Sequence, residues 1–421
     1  MKNKNTRSLH DIIAISAAVL LILVFFFAFS TVTNHHLSDA NAYNTYELQA
    51  KSWLEGRLDL DNREWLELAT YGGKYYVSFP PLPSVILLPF VAVFGTGTDN
   101  YIAFAVLLLG VAFTYLLARK WGLSPLSSAL MSCALYLGTN MRQITSDAWV
   151  WFFAQNLAFL FTTLCFFCAS YGKKGLSMLF LVCAVGCRPF QLIYLPIVLI
   201  ILLSRIDGKT LPVKFKKLFF NKIWVYTPAL LLVFFYCALN YARFGSIFEF
   251  GHNYLPEFLR SENGQFSLSY FVSNLPCLFR LPTFKSGTLF VTAFDGMSIF
   301  LVIPFFTVYP LSVLLSFVRD RKIENGVYHI VGSLLILLHI FLLLCHRTMG
   351  GAHFGNRYIM DTVPVLFFLS ALSFKQIFSK KDTISLTLNA VCVLCFVFGT
   401  FLNFFGTALF YGSEFSFIAF G

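Results

Sequence analysis

Apolar runs of about twenty residues, repeated along the chain, constrain its fold more than any other feature. Each matches the roughly 30 Å hydrocarbon thickness of a bilayer. Hydrophobic residues make up 57% of the 421-residue chain and charged residues 12%, which excludes a string of ordinary soluble domains. No long stretch alternates with the period of two that a membrane barrel requires. Inside hydrocarbon every backbone N–H and C=O needs an internal partner, so the runs must be helices. The chain reads as an all-α polytopic membrane protein, one domain over 1–421. About eleven transmembrane helices are expected near 9–32, 101–118, 124–140, 148–171, 175–187, 189–204, 223–240, 297–318, 328–345, 358–374 and 383–410.

The first run follows Lys2, Lys4 and Arg7, and NHHLSD comes after it in place of a small-residue cleavage site. It is expected to be a retained anchor with its N-terminus in the cytoplasm. Most of the ten cysteines fall inside apolar segments. The Cys165/Cys168 and Cys392/Cys395 pairs have no polar neighbours, so they read as small buried hydrophobes. The net charge of +11 is explained by where the cations lie, without nucleic acid. Lys2–Arg7, Arg119–Lys120, Lys173–Lys174, Arg205–Lys222, Arg319–Lys322 and Lys375–Lys381 hold 19 of the 31 basic residues. The positive-inside rule assigns these loops to the cytoplasm.

That assignment holds only if PPLPSVILLPFVAVFG, at 80–95, does not cross the membrane. It is short and proline-rich, and is expected to form a re-entrant or juxtamembrane helix pair with both ends outside. Two large outer loops result, 34–100 and 241–296. Asp39, Lys74, Tyr75, Tyr76, Asp147, Arg188, the 241–296 loop and the segment His346–Asp361 then share the outer side. The short helices meeting at Cys187-Arg188-Pro189 would leave a lateral gap for a lipid tail.

Asp39 reads either as the N-cap of the next helix or as a carboxylate placed to take a proton from a hydroxyl. In the run after it, Tyr43, Tyr46, Leu48, Trp53 and Leu54 suit a membrane interface, with Glu47, Lys51 and Glu55 facing water. GlyGlyLysTyrTyr at 72–76 reads as a turn presenting Lys74, which either snorkels to head groups or contacts a phosphate. Arg188 is a charge in a long apolar stretch, and such charges mark sites or paired structural ions. NYARFGSIFEFGHNY (240–254) carries Arg243, Glu249 and His252. GGAHFGNRYIMDTVP (350–364) carries His353, Arg357, Tyr358 and Asp361. Its glycines permit close backbone approach. Arg357 offers a fork that fits a phosphate, or anchors at the interface beside Asp361. No spacing requires a metal, although Asp39 with a histidine would suit a divalent cation. Phosphate-binding loops, nucleophile elbows and dinucleotide fingerprints are missing from the sequence.

Taken together, Asp39, SWLEGRLDLD, YYVSFPPLPSVILLPFVAVFG, the Arg-Pro step at 188–189, NYARFGSIFEFGHNY and GGAHFGNRYIMDTVP resemble the GT-C superfamily of integral-membrane glycosyltransferases. The likeness covers nearly the whole chain and is nearest to bacterial relatives of protein O-mannosyltransferases and lipid A aminoarabinose transferases. The resemblance implies transfer of a sugar from a polyprenyl-phosphate donor to a glycan, lipid or protein hydroxyl, on the outer face of the bacterial plasma membrane and with inversion. Asp39 would act as base. Arg357, Lys74 and Arg188 would hold the donor phosphate. Tyr75, Tyr76, Asp147, His252, His353 and Tyr358 would contact substrate. Many members carry a second acid directly after the first, where this chain has Ala40. A transporter or flippase of lipid-linked sugars is the competing expectation. It would be expected to show internal repeats, and none is evident here.

Overall fold

A computed structural model describes residues 2–63 and 66–421, with side chains from Ser8 onward. The side chains of Lys2, Lys4 and Arg7 lie outside the described residues. All eleven apolar segments are helical. In chain order the elements begin with α1 (Lys2–Thr33), α2 (Thr45–Leu54), a hairpin of β1 (Leu68–Tyr71) and β2 (Lys74–Val77), and α3 (Leu82–Phe94). Then come α4 (Asp99–Lys120), α5 (Pro125–Gly138), α6 (Met141–Ile144), α7 (Val150–Ser170), α8 (Lys174–Val185), α9 (Leu195–Ser204), α10 (Leu211–Phe219) and α11 (Thr227–Phe244). The second half adds α12 (Pro256–Leu259), α13 (Ser269–Asn274), β3 (Thr283–Lys285), β4 (Thr288–Val291), α14 (Ile299–Val302), α15 (Phe305–Asp320), α16 (Gly326–Leu344), α17 (Val363–Ile377), α18 (Thr383–Phe410) and β5 (Ile418–Phe420). Among the described residues, seven of the helices are long and apolar enough to cross a membrane. The segments at 124–140, 175–187, 189–204 and 297–318 form shorter or interrupted helices. Residues 80–95 form one helix, α3, rather than the expected pair. Pro83 sits in its first turn, where a missing N–H costs nothing, and Gly95 at φ 75° ends it.

The chain divides into two compact units. One comprises the chain up to His36 with Leu108–Ser146 and Tyr270–Gly421; the other comprises Leu37–Leu107 and Asp147–Ser269. In the first, α17 is the buried centre, while α1 and α18 show much of their surface to lipid. There β3 pairs antiparallel with β4, and β5 returns parallel to β4. In the second unit α7 is the buried centre and α11 faces lipid.

Within each unit the basic loops gather. In the first, the Arg119 guanidinium meets Asp11 at 2.5 Å. Arg319 reaches Asp320 at 2.9 Å and Asp382 at 3.4 Å, and Lys380 reaches Asp320 at 2.7 Å. In the second, Lys174 donates to the carbonyls of Lys217, Leu218 and Asn221. The loops that charge counting places on one side of the membrane are therefore physical neighbours within each unit.

Candidate functional site

Asp39 sits in the loop between α1 and α2 and is half-buried. It is not the cap of α2, whose N-cap residue is Asn44. Two amides fix this loop. The Asn100 side chain donates from Nδ2 to the Asp39 carbonyl at 3.1 Å and accepts the Ala148 N–H at 2.9 Å. The Asn41 amide donates to Asp99 at 2.6 Å and to the Ala148 carbonyl at 2.9 Å. The Asp147 carboxylate accepts the same Ala148 N–H at 2.7 Å. One carboxamide thus holds the Asp39 backbone at one end and the Asp147–Ala148 peptide at the other. Asp147, far from Asp39 in sequence, joins Asp99 in this loop cluster. Among the described residues no three His, Cys, Asp or Glu side chains are grouped to hold a metal.

Glu47 does not face water as the amphipathic pattern suggests. It is fully buried and caps α4, accepting the N–H groups of Gly97 at 2.7 Å, Thr98 at 2.7 Å and Asp99 at 3.0 Å. A carboxylate at a helix N-terminus satisfies orphan donors and meets the positive end of the dipole. Tyr46 is likewise buried, against Phe153. This capping locks α2, and through it the Asp39 loop, onto α4.

The remaining expected residues of this unit take different places. Lys74 is at the tip of the β1–β2 hairpin, beside the Gly72–Gly73 turn. Its side chain is 58% exposed and pairs with Asp59 at 3.4 Å. Tyr75 pairs through its carbonyl with the Leu60 N–H. Tyr76 packs in an apolar cluster with Ala69 and Phe244. His252 lies against Phe79, its Nδ1 3.2 Å from the Ser78 carbonyl. Arg188 stands at the break between α8 and the 3-10 turn Pro189–Tyr194, half-buried. Arg243 closes α11, buried, with hydrogen bonds to the Val77 carbonyl at 3.2 Å and Asn240 at 3.0 Å. It ties α11 to the strand that carries Tyr75 and Tyr76.

In the other unit, His353, Arg357 and Tyr358 come together in the loop before α17. Arg357 is only 4% exposed. Its Nη2 donates to the Gly350 carbonyl at 3.1 Å, and its guanidinium lies over the Tyr358 ring, 4.9 Å from the centroid. The loop is held by an amide lattice. Asn140 accepts the Asn356 N–H at 2.7 Å and donates to the Phe354 carbonyl at 3.2 Å and to Asn403 at 3.0 Å. Gln143 accepts the Phe354 N–H at 3.1 Å. Gly355, at φ 78°, is required here, since a Cβ would stand 2.0 Å from the Asn140 amide. This glycine serves a close approach to the protein's own side chain rather than to a ligand.

His353 is fully buried, against the backbone of Gly350 and Gly351. Burial, and then the neighbouring Arg357 cation, hold its pKa down at about 3. The imidazole is therefore neutral at physiological pH and adds no positive charge beside Arg357. Arg142, in α6, is also buried. Its guanidinium packs over Phe29 at 4.2 Å and bonds Ser146 at 2.9 Å.

Sequence reasoning singled out Asp39 and Arg357 but missed the amides that position their loops. Asn41, Asn100, Asn140, Gln143, Asn356 and Asn403 carry the loop geometry. A signal for some was present: Asn403, amid the apolar residues of α18, must find a partner in the bundle.

No protein-family model and no curated protein matches the sequence. Solved structures do. The fold is similar to the crystal structure of ArnT from Cupriavidus metallidurans bound to undecaprenyl phosphate, with TM-score 0.51 and 11% identity over 94% of this chain and 75% of ArnT. The apo structure of the same protein gives TM-score 0.49 and 12% identity over the same shares. The chain is an integral membrane protein that shares the fold of ArnT.

Proposed function

We propose that this chain is a glycosyltransferase that moves a sugar from a polyprenyl-phosphate donor to an acceptor hydroxyl on the extracytoplasmic face of the bacterial plasma membrane. The observation that carries the reading is the Asn100 clamp, which brings a half-exposed Asp39 beside Asp147 in a chain with the ArnT fold. The similar protein was crystallised with undecaprenyl phosphate, a lipid of the class proposed here.

The acceptor oxygen attacks the anomeric carbon as its proton passes to the Asp39 carboxylate. The bond from that carbon to the phosphate oxygen breaks on the opposite face, so the product is inverted. The polyprenyl phosphate leaves as an anion. Its growing charge calls for a fixed cation, and Arg357 is the first residue proposed to supply one. Lys74 and Arg188 are the further cations proposed for the donor phosphate, and Asp147 orients the acceptor.

The test is turnover of radiolabelled polyprenyl-phosphate sugars by purified protein in liposomes. Release of polyprenyl phosphate that depends on acceptor and on Asp39 supports the reading. Protein-dependent movement of intact donor across the bilayer without bond cleavage would replace it with a flippase. The outer placement of α3 is tested separately. A cysteine at the exposed Thr96 should react with a membrane-impermeant reagent from outside intact cells, and labelling only from the cytoplasm would overturn the topology.

A further inference from the structure

The segment 205–222 carries six cations and one acid, Asp207. It contains α10, which lies between two membrane helices, α9 and α11, and belongs with them to one unit. The helix is pinned. Leu218 is fully buried, Tyr226 donates to its carbonyl at 2.7 Å, and the Lys174 ammonium caps the carbonyls of Lys217, Leu218 and Asn221. Lys214 is turned back toward the Leu203 carbonyl at 3.4 Å. Beside these anchored residues, the ridge of Leu211, Phe215 and Phe219 is left exposed. The Phe215 and Phe219 rings stack, 6.0 Å apart and 14° from parallel. Pro212, Phe215, Lys216, Phe219 and Phe220 line an open, apolar groove of about 650 Å³ with one cation at its rim.

An apolar groove facing water is unfavourable, and this one is continuous in the chain with lipid-facing surface: Leu230, Leu231 and Phe234 of α11 are exposed. We propose that α10 forms a binding site for an anionic phospholipid of the surrounding bilayer, with an acyl chain against Phe215 and Phe219 and the headgroup on Lys216. Charge complementarity selects the headgroup, and the groove selects a chain-bearing ligand over a soluble anion. The site is separate from sugar transfer, and its test does not depend on that reading.

The test uses full-length protein in nanodiscs of phosphatidylcholine alone or mixed with phosphatidylglycerol, with hydrogen exchange read over residues 211–222. A headgroup contact worth what one lysine gains at an anionic surface predicts about fivefold slower exchange with phosphatidylglycerol. Lys216→Gln should remove that difference, and Phe219→Ser should raise exchange in both lipids. Lys381→Gln, at an exposed basic residue of the other unit, should leave the difference intact. Equal exchange of the wild type in the two lipids overturns the proposal. So does a phosphatidylglycerol effect that survives Lys216→Gln, or one that Lys381→Gln abolishes equally well.

Discussion

The acid loop around Asp39 and the cation loop around Arg357 are built in opposite ways. Asp39 is half-exposed, and the Asn100 amide holds it by its backbone carbonyl. Arg357 is buried, its guanidinium bonded to Gly350 and its loop tied at Phe354 and Asn356 by Asn140 and Gln143. A proton acceptor must exchange its proton with water between turnovers, so some exposure suits it. A group that meets developing negative charge works best when its orientation is fixed beforehand and water is excluded. The difference in burial is what a division of labour between acid and cation would produce.

The largest effect that would break this comparison is at Arg357. Arg357→Ala should lower kcat/KM by about a hundred- to a thousandfold, the loss expected for one preorganised donor to a charged transition state. Arg357→Lys should recover little, because an ammonium cannot reproduce the fork. Steady-state kinetics on reconstituted protein check both. If both constants stay within about twofold of wild type, a difference of roughly 0.4 kcal/mol, Arg357 holds no phosphate.

The next effect concerns rigidity. Asn140→Ala strips partners from the buried Asn356 N–H, Phe354 carbonyl and Asn403 amide. Orphaned buried groups cost on the order of 1–3 kcal/mol each, so stability should fall by about 3 kcal/mol in a detergent denaturation series. A loss below about 0.5 kcal/mol would mean the lattice is not what holds the cation loop.

The pH dependence sharpens the same contrast. His353 has a folded-state pKa of about 3, below the ordinary value of 6.5. Below pH 6.5 the unfolded chain takes up a proton that the folded chain refuses, so stability is full above 6.5 and is lost as pH falls from there toward 3. By linkage the loss reaches about 2 kcal/mol at pH 5. His353→Gln should flatten the stability profile between pH 6.5 and 5. An unchanged slope in that variant would assign the acid sensitivity to other groups. The smallest effect is expected at Asn100, on the looser acid loop. Asn100→Ala removes bonds to Asp39 and Ala148 and should cost about 1 kcal/mol of stability, with a larger relative loss in kcat than in donor affinity.

The membrane class, all eleven helical segments and the grouping of basic loops were legible in the sequence, because run length and cation placement answer directly to the bilayer. The hairpin at Gly72–Gly73 was legible as a turn. Other features depend on long-range partners. Glu47 looks like a solvent-facing residue of an amphipathic helix until Gly97–Asp99 arrives to be capped. Tyr46, adjacent to it, is buried for the same reason. Tying the Asp39 backbone to the Asp147–Ala148 peptide needs Asn100, a residue whose own position gives no hint of function. Asn140 and Asn403 find each other across 263 positions, a pairing that no local pattern encodes.

The most direct measurement is donor binding set beside turnover in purified Asp39→Asn. The account predicts wild-type affinity for the polyprenyl-phosphate donor with turnover reduced about a thousandfold, because the amide keeps the shape of the loop and cannot accept the proton. Turnover near the wild-type rate in a folded, donor-binding Asp39→Asn protein would contradict it.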